Sequence, residues 1–115
     1  EAKGLMQIKE STAIDINEKY KLIENFNVKE DIFDEENNII IGCKYFDSLL
    51  GKYNGNIYLS ICAYNAGMGN VDKWLESDVL TKDFSNYKQN DIPFFETKNY
   101  LKKIINVYNI YNLLY

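Results

Sequence analysis

Apolar residues along this chain recur at helical spacing, and no period-two alternation runs long enough to predict a sheet. Gly4-Leu5-Met6-Gln7-Ile8 is short and mostly apolar and opens on glycine, so it reads as an extended or turning segment. Ser11 and Thr12 offer caps for a helix over residues 11–20. Residues 25–34 are polar and read as a loop, and Asp34 can cap a longer helix over 35–53. In that helix Ile39, Cys43, Phe46 and Leu50 fall at i, i+4, i+7 and i+11, one apolar stripe. Asn54-Gly55-Asn56 marks a turn, and Asn56 caps a helix over 57–66 that stops at Gly67.

After the link Gly67-Met68-Gly69-Asn70, Val71 to Leu75 predicts one or two helical turns carrying the single Trp. Residues 77–91 read as a long loop, of the kind that often carries function. Pro93 opens a last helix, over 94–113, in which Leu101, Ile104, Ile105 and Tyr108 repeat at helical spacing. Its stripe is broad, which predicts a place at the centre of the core. The expected class is all-α, in one domain of 115 residues.

Composition removes whole classes of chemistry. The chain has no His, which excludes Ser-His-Asp and Cys-His catalysis and histidine-bearing zinc sites. Its two cysteines are too few for an all-cysteine zinc site. Net charge is −4, the 13 basic residues are all Lys, and no basic patch appears, which argues against a nucleic-acid partner. No stretch is apolar enough to span a bilayer. Asn, Ile, Lys and Tyr make up 52 of the 115 residues, and all four have A/T-rich codons, which points to a low-GC genome, as in many bacteria. Cys43 and Cys62 can pair as a disulfide or sit as buried free thiols, and the second is the plainer reading.

Carboxylates are the main acid/base groups left. Asp31, Asp34, Glu35 and Glu36 cluster without calcium-loop spacing and read as a solvated helix start. Glu10 also reads as a helix-start acid, and Glu96 opens the last helix beside Phe94 and Phe95, so it suits either a helix dipole or a site. Ala63-Tyr64-Asn65-Ala66-Gly67 puts a polar pair at the end of an otherwise apolar helix. Such a pair serves a site or caps the structure.

Four of these segments, in order, carry a family resemblance. Gly4-Leu5-Met6-Gln7-Ile8 followed by Ser11-Thr12-Ala13 resembles the G-L-M-Q-I/L-x-P-x-T-A motif of the soluble lytic transglycosylases, peptidoglycan-cleaving enzymes with a lysozyme-like fold. Asn38-Ile39 with Gly42, then Tyr53-x-Gly55-Asn56, resembles that family's N-I-x-x-G and F/Y-x-G-N stretches. Ala63 to Val71, with Trp74 after it, resembles A-Y-N-A-G-x-G-x-V-x-x-W. Ile92-Pro93-Phe94-x-Glu96-Thr97-Lys98-x-Tyr100 resembles I-P-F/Y-x-E-T-R/K-x-Y. Glu10 replaces the usual proline of the first motif.

The resemblance implies a fold, a reaction and a set of site residues. The fold would be a lysozyme-like helical domain. The reaction would cleave the β-1,4 bond between MurNAc and GlcNAc and leave 1,6-anhydro-MurNAc, with no metal or cofactor. The family's catalytic Glu lies in an E-S-x-F/W helix upstream of G-L-M-Q, so it is expected before Glu1, in a domain truncated at its N-terminus and inactive alone. Gln7 would bind the sugar near the cleaved bond, with Met6 and Lys9 as support or groove wall. Tyr64 and Asn65 would contact the glycan or the catalytic Glu, and Glu96 would face the groove. The expected partner is the peptidoglycan glycan strand, at an extracellular or wall-associated location. Self-association is a further expectation, because the upstream helix would otherwise leave an apolar patch bare. The alternative is a non-catalytic glycan-binding module with the same fold.

Overall fold

The computed structural model describes residues 2–4, 6–82 and 106–113. The class is mostly α, as expected, with one addition. The glycine-led segment near the start is a hairpin turn flanked by a two-residue antiparallel pair, β1 (Ala2–Lys3) and β2 (Ile8–Lys9), in the register Ala2↔Lys9 and Lys3↔Ile8. Strands this short leave no alternation to read in a sequence.

Five helices follow: α1 (Glu10–Tyr20), α2 (Val28–Asp31), α3 (Glu35–Lys52), α4 (Ile57–Ala66) and α5 (Met68–Glu76), and residues 106–113 are also helical. The described residues fall into two compact units, 2–4, 6–45 and 106–113 in one and 46–82 in the other, with the boundary inside α3. Among the described residues no helix is long and apolar enough to cross a membrane.

In the first unit the chain passes directly from β2 into α1. The cap position is therefore extended Lys9, whose side chain makes no cap bond, and not Ser11 or Thr12. α1 ends as Lys21 turns left-handed (φ 52°) and donates its N–H to the Asn17 carbonyl (2.7 Å). The Asn17 side chain brackets the next loop, accepting from Ile23 N–H (2.8 Å) and donating to Ile23 O (3.1 Å). The polar stretch expected as loop contains α2. Asn27 caps it by accepting from Lys29 N–H (3.2 Å), and Asp31 accepts from Asn27 N–H (2.7 Å). One helical turn is too short for periodicity to detect. Ile8, Ala13, Ile16, Ile32 and Ile41 form this unit's buried cluster, with Tyr20, Leu22, Ile23, Phe26, Val28 and Tyr45 packed around it. Lys44 Nζ stands 4.4 Å from the Tyr20 ring centroid.

Asp34 caps α3 as expected, accepting from Asn37 N–H (3.0 Å). The buried face of α3 is turned slightly from the expected stripe. Cys43 and Phe46 are buried, but Ile39 and Leu50 are only half-buried, and Asn38, Ile41, Gly42 and Leu49 are buried beside them. Counting only apolar side chains shifted the stripe, because Asn38 belongs to the core.

In the second unit, Asn56 caps α4 by accepting from Leu59 N–H (3.0 Å). Leu59 through Tyr64 are six consecutive buried residues, so α4 is buried on all sides and packs against α5. The last helix was expected at the centre. Its described part, 106–113, has no buried residue, and Leu101, Ile104 and Ile105 lie outside the described residues. α5 begins at Met68, earlier than expected, because Gly67 alone (φ 94°) makes the turn and Gly69 is helical. Cys43 and Cys62 are free and buried, the thiol arrangement expected over a disulfide.

Candidate functional site

In the G-L-M-Q segment Gln7 N–H donates to Gly4 O (3.1 Å), closing the turn between β1 and β2. Gly4 is left-handed at φ 71°, which glycine adopts freely. Gln7 is also left-handed (φ 49°), which a residue with a Cβ adopts at a cost. The Gln7 side chain is exposed, and its Nε2 donates to Gly4 O (2.9 Å). Oε1 accepts no hydrogen bond among the described residues. Gln7 therefore offers an acceptor on a fixed backbone.

Asn38 holds this turn from below. It is 1% exposed, yet every polar atom of its amide is engaged. Oδ1 accepts from Met6 N–H (2.7 Å), and Nδ2 donates to Lys3 O (2.9 Å) and to Ile32 O (2.9 Å). One side chain thus ties α3 to β1, to the turn and to the end of α2. Met6 is wholly buried beneath the turn. Lys9 is exposed at the β2–α1 junction.

Tyr64 and Asn65 share the last turn of α4. Tyr64 is 8% exposed and meets Phe46 edge-to-face, with ring centroids 6.1 Å apart and planes at 66°. Asn65 is half-buried. The helix end is closed twice: Gly67 N–H donates to Ala63 O (2.8 Å), and Asn70 Nδ2 donates to Ala66 O (2.7 Å). Met6, Gln7 and Lys9 are thus grouped on one hairpin in the first unit, and Tyr64 and Asn65 on one helix end in the second. Glu96 lies outside the described residues.

Asn38 was not among the residues given a role from sequence. The signal was present: an Asn inside the helix over 35–53, beside an apolar stripe, either faces water or is buried with partners.

The second unit also holds a cleft of about 480 Å³, lined by the α3–α4 corner from Lys52 to Asn56 and by Asp72 and Leu75 of α5 among others. Among the described residues, none of the expected site residues lines it. Its carboxylate, Asp72, already accepts from Lys52 Nζ (2.8 Å) and Tyr53 Oη (3.2 Å), a clamp between two helices. No Asp or Glu is buried among the described residues, and none of their His, Cys, Asp and Glu side chains group in threes to hold a metal ion.

Comparison with known proteins places the chain in a family. Residues 1–87 match the model of the transglycosylase SLT domain. A Haemophilus influenzae protein provisionally named a soluble lytic murein transglycosylase is 36% identical over 110 residues, which is 96% of this chain and 18% of that protein. The soluble lytic murein transglycosylase of Escherichia coli K12 is 34% identical over 104 residues, 90% of this chain and 16% of that protein. The Salmonella typhimurium protein of the same name is 32% identical over 104 residues, with the same coverage of 90% and 16%. The chain thus spans less than a fifth of the length of each of these relatives. No solved structure matches it. The chain belongs to the transglycosylase SLT domain family.

Proposed function

We propose that this chain is the substrate-holding part of a peptidoglycan lytic transglycosylase domain. It acts on glycan strands at the cell wall, outside the cytoplasm of a low-GC bacterium. The observation that carries the reading is the Gly4–Gln7 turn, in which a buried Asn binds the Met6 amide and the next residue is an exposed, left-handed Gln. Strained backbone held in place by its surroundings marks a site where geometry matters.

The proton donor is a Glu upstream of Glu1. A general acid at neutral pH must keep its proton, which takes a partly apolar enclosure. No described carboxylate is so enclosed, which fits a donor supplied by another segment. That Glu protonates the oxygen linking MurNAc C1 to GlcNAc, and the C1–O bond breaks. The same carboxylate then takes the proton of the MurNAc C6 hydroxyl, whose oxygen closes on C1. The proton returns to its starting place, the products are 1,6-anhydro-MurNAc and a free GlcNAc end, and water is not consumed. Gln7 accepts from an amide N–H or hydroxyl of the sugar. Tyr64 presents its phenol to the acid or the adjoining sugar, Asn65 holds that corner, and Lys9 and Glu96 border the groove.

The test is digestion of purified peptidoglycan by the full-length protein, with mass spectrometry of the soluble products. Muropeptides ending in 1,6-anhydro-MurNAc are expected. Retention on peptidoglycan without any soluble product identifies the glycan-binding module instead, and reducing MurNAc ends identify a hydrolase.

A further inference from the structure

We propose that Asn38 is a positioning residue for Gln7, acting through the Met6 amide and the Lys3 carbonyl to fix the turn that presents the Gln7 side chain. This deepens the transglycosylase reading and rests on it for the identity of the sugar.

Asn is the side chain that fits the place. It offers one acceptor oxygen and two N–H donors on a single planar group. The Met6 N–H needs an acceptor, and the Lys3 and Ile32 carbonyls need donors. Asp is the same size but has no donor, so it would set a carboxylate against two carbonyl oxygens. Leu would take the partner from the buried Met6 N–H and Ile32 carbonyl and from the partly buried Lys3 carbonyl. The fit is also steric. Gly4 lies against the Asn38 amide so closely that a Cβ there would overlap its Nδ2 and Cγ. The turn therefore cannot shift toward α3, and the hydrogen bonds keep it from moving away.

The consequence falls on Gln7. Its Nε2 is held by Gly4 O, one residue from the Lys3 carbonyl that Asn38 grips. The Nε2 end must face that carbonyl, since an amide oxygen would be repelled there. The acceptor end is then set for the ligand. Losing Asn38 frees the hairpin loop and with it the direction of Gln7 Oε1. Misplacement on the ångström scale is enough to cost about 100-fold in rate.

The experiment uses the full-length protein and begins with no substitution. Hydrogen exchange of the Met6 amide is expected to be as slow as that of helix amides in the first unit, and exchange at the rate of an exposed loop overturns the proposal. Asn38→Asp and Gly4→Ala, which attack the same contact from opposite sides, are then compared with Gln7→Ala and with the combined Asn38→Asp/Gln7→Ala protein. Thermal melting gives the folded fraction. Per folded molecule, Asn38→Asp is expected to lower kcat/KM at least about tenfold alone and less than about twofold in the Gln7→Ala background, the non-additivity of a residue that works through another. Additive losses, or a lower melting temperature with unchanged kcat/KM per folded molecule, overturn it; Gly4→Ala supplies the same reading if Asn38→Asp does not fold. If the unsubstituted protein releases no anhydro-muropeptides, the enzyme reading fails separately. The same cycle is then read as Kd for insoluble peptidoglycan, with the same two outcomes.

Discussion

Gly4 adopts φ 71° with the Asn38 amide standing where a Cβ would go. Gly4→Ala adds left-handed strain to overpacking, and together these predict a loss of about 2 to 5 kcal/mol, measured by urea unfolding. Asn38→Asp should cost a comparable amount, because the buried Ile32 carbonyl and the partly buried Lys3 carbonyl lose their donor. Tyr64 separates structure from chemistry more cleanly. Tyr64→Phe keeps the ring against Phe46 and removes only the hydroxyl. The expected outcome is a melting temperature within a few degrees of the parent and turnover lower by about 10- to 100-fold, the scale of one hydrogen bond to a charged group. A large fall in melting temperature with turnover intact would make the phenol structural. The sequence pointed to Gln7 and Tyr64 by motif and to the glycine turns by composition. It did not disclose Asn38's role, because three partners for one amide depend on backbone brought in from Lys3, Met6 and Ile32, and no local pattern encodes that.

Helix boundaries were legible wherever one side chain decides them. Asp34 and Asn56 cap α3 and α4, and Gly67 ends α4, as their positions in the sequence imply. Boundaries set by something other than a cap were not legible: β2 delivers the chain into α1, and Gly69 is absorbed into α5. Asn56→Ala is expected to cost about 1 kcal/mol and Asn56→Gly only a few tenths, by chemical denaturation. Burial within α3 and α4 predicts a pH response. The Cys43 and Cys62 thiols, taken out of water, are both pushed up from 9.0 to about 12. Below about pH 9 the thiols are protonated whether the chain is folded or not, so they contribute no slope. Between about 9 and about 12 the unfolded chain releases these protons and the folded chain keeps them. The unfolded state then binds fewer protons, and stability falls as pH rises. The urea midpoint under reducing conditions should therefore drop from pH 8 to 10.5, and more steeply than in a protein with both cysteines changed to Ala. Equal slopes would mean that the thiols ionise in place.

At the scale of the whole molecule, two groups of expected site residues stand on two units, and the described part of the chain holds no enclosed carboxylate. The SLT-domain match runs over residues 1–87, whereas the murein transglycosylases that the chain resembles are more than five times its length. In the function proposed above, this chain holds the glycan and a Glu upstream of it supplies the proton. The 115-residue chain alone, checked for helicity by circular dichroism, is accordingly expected to release anhydro-muropeptides at least about 100-fold more slowly than the full-length protein, the usual cost of a missing proton donor. Changing the upstream Glu to Gln in the full-length protein should cause the same loss while leaving retention on peptidoglycan nearly unchanged, since the amide keeps the shape and removes only the transferable proton. Full activity from the bare chain would place the donor within residues 1–115, and Glu96→Gln in that chain would then be the substitution to make.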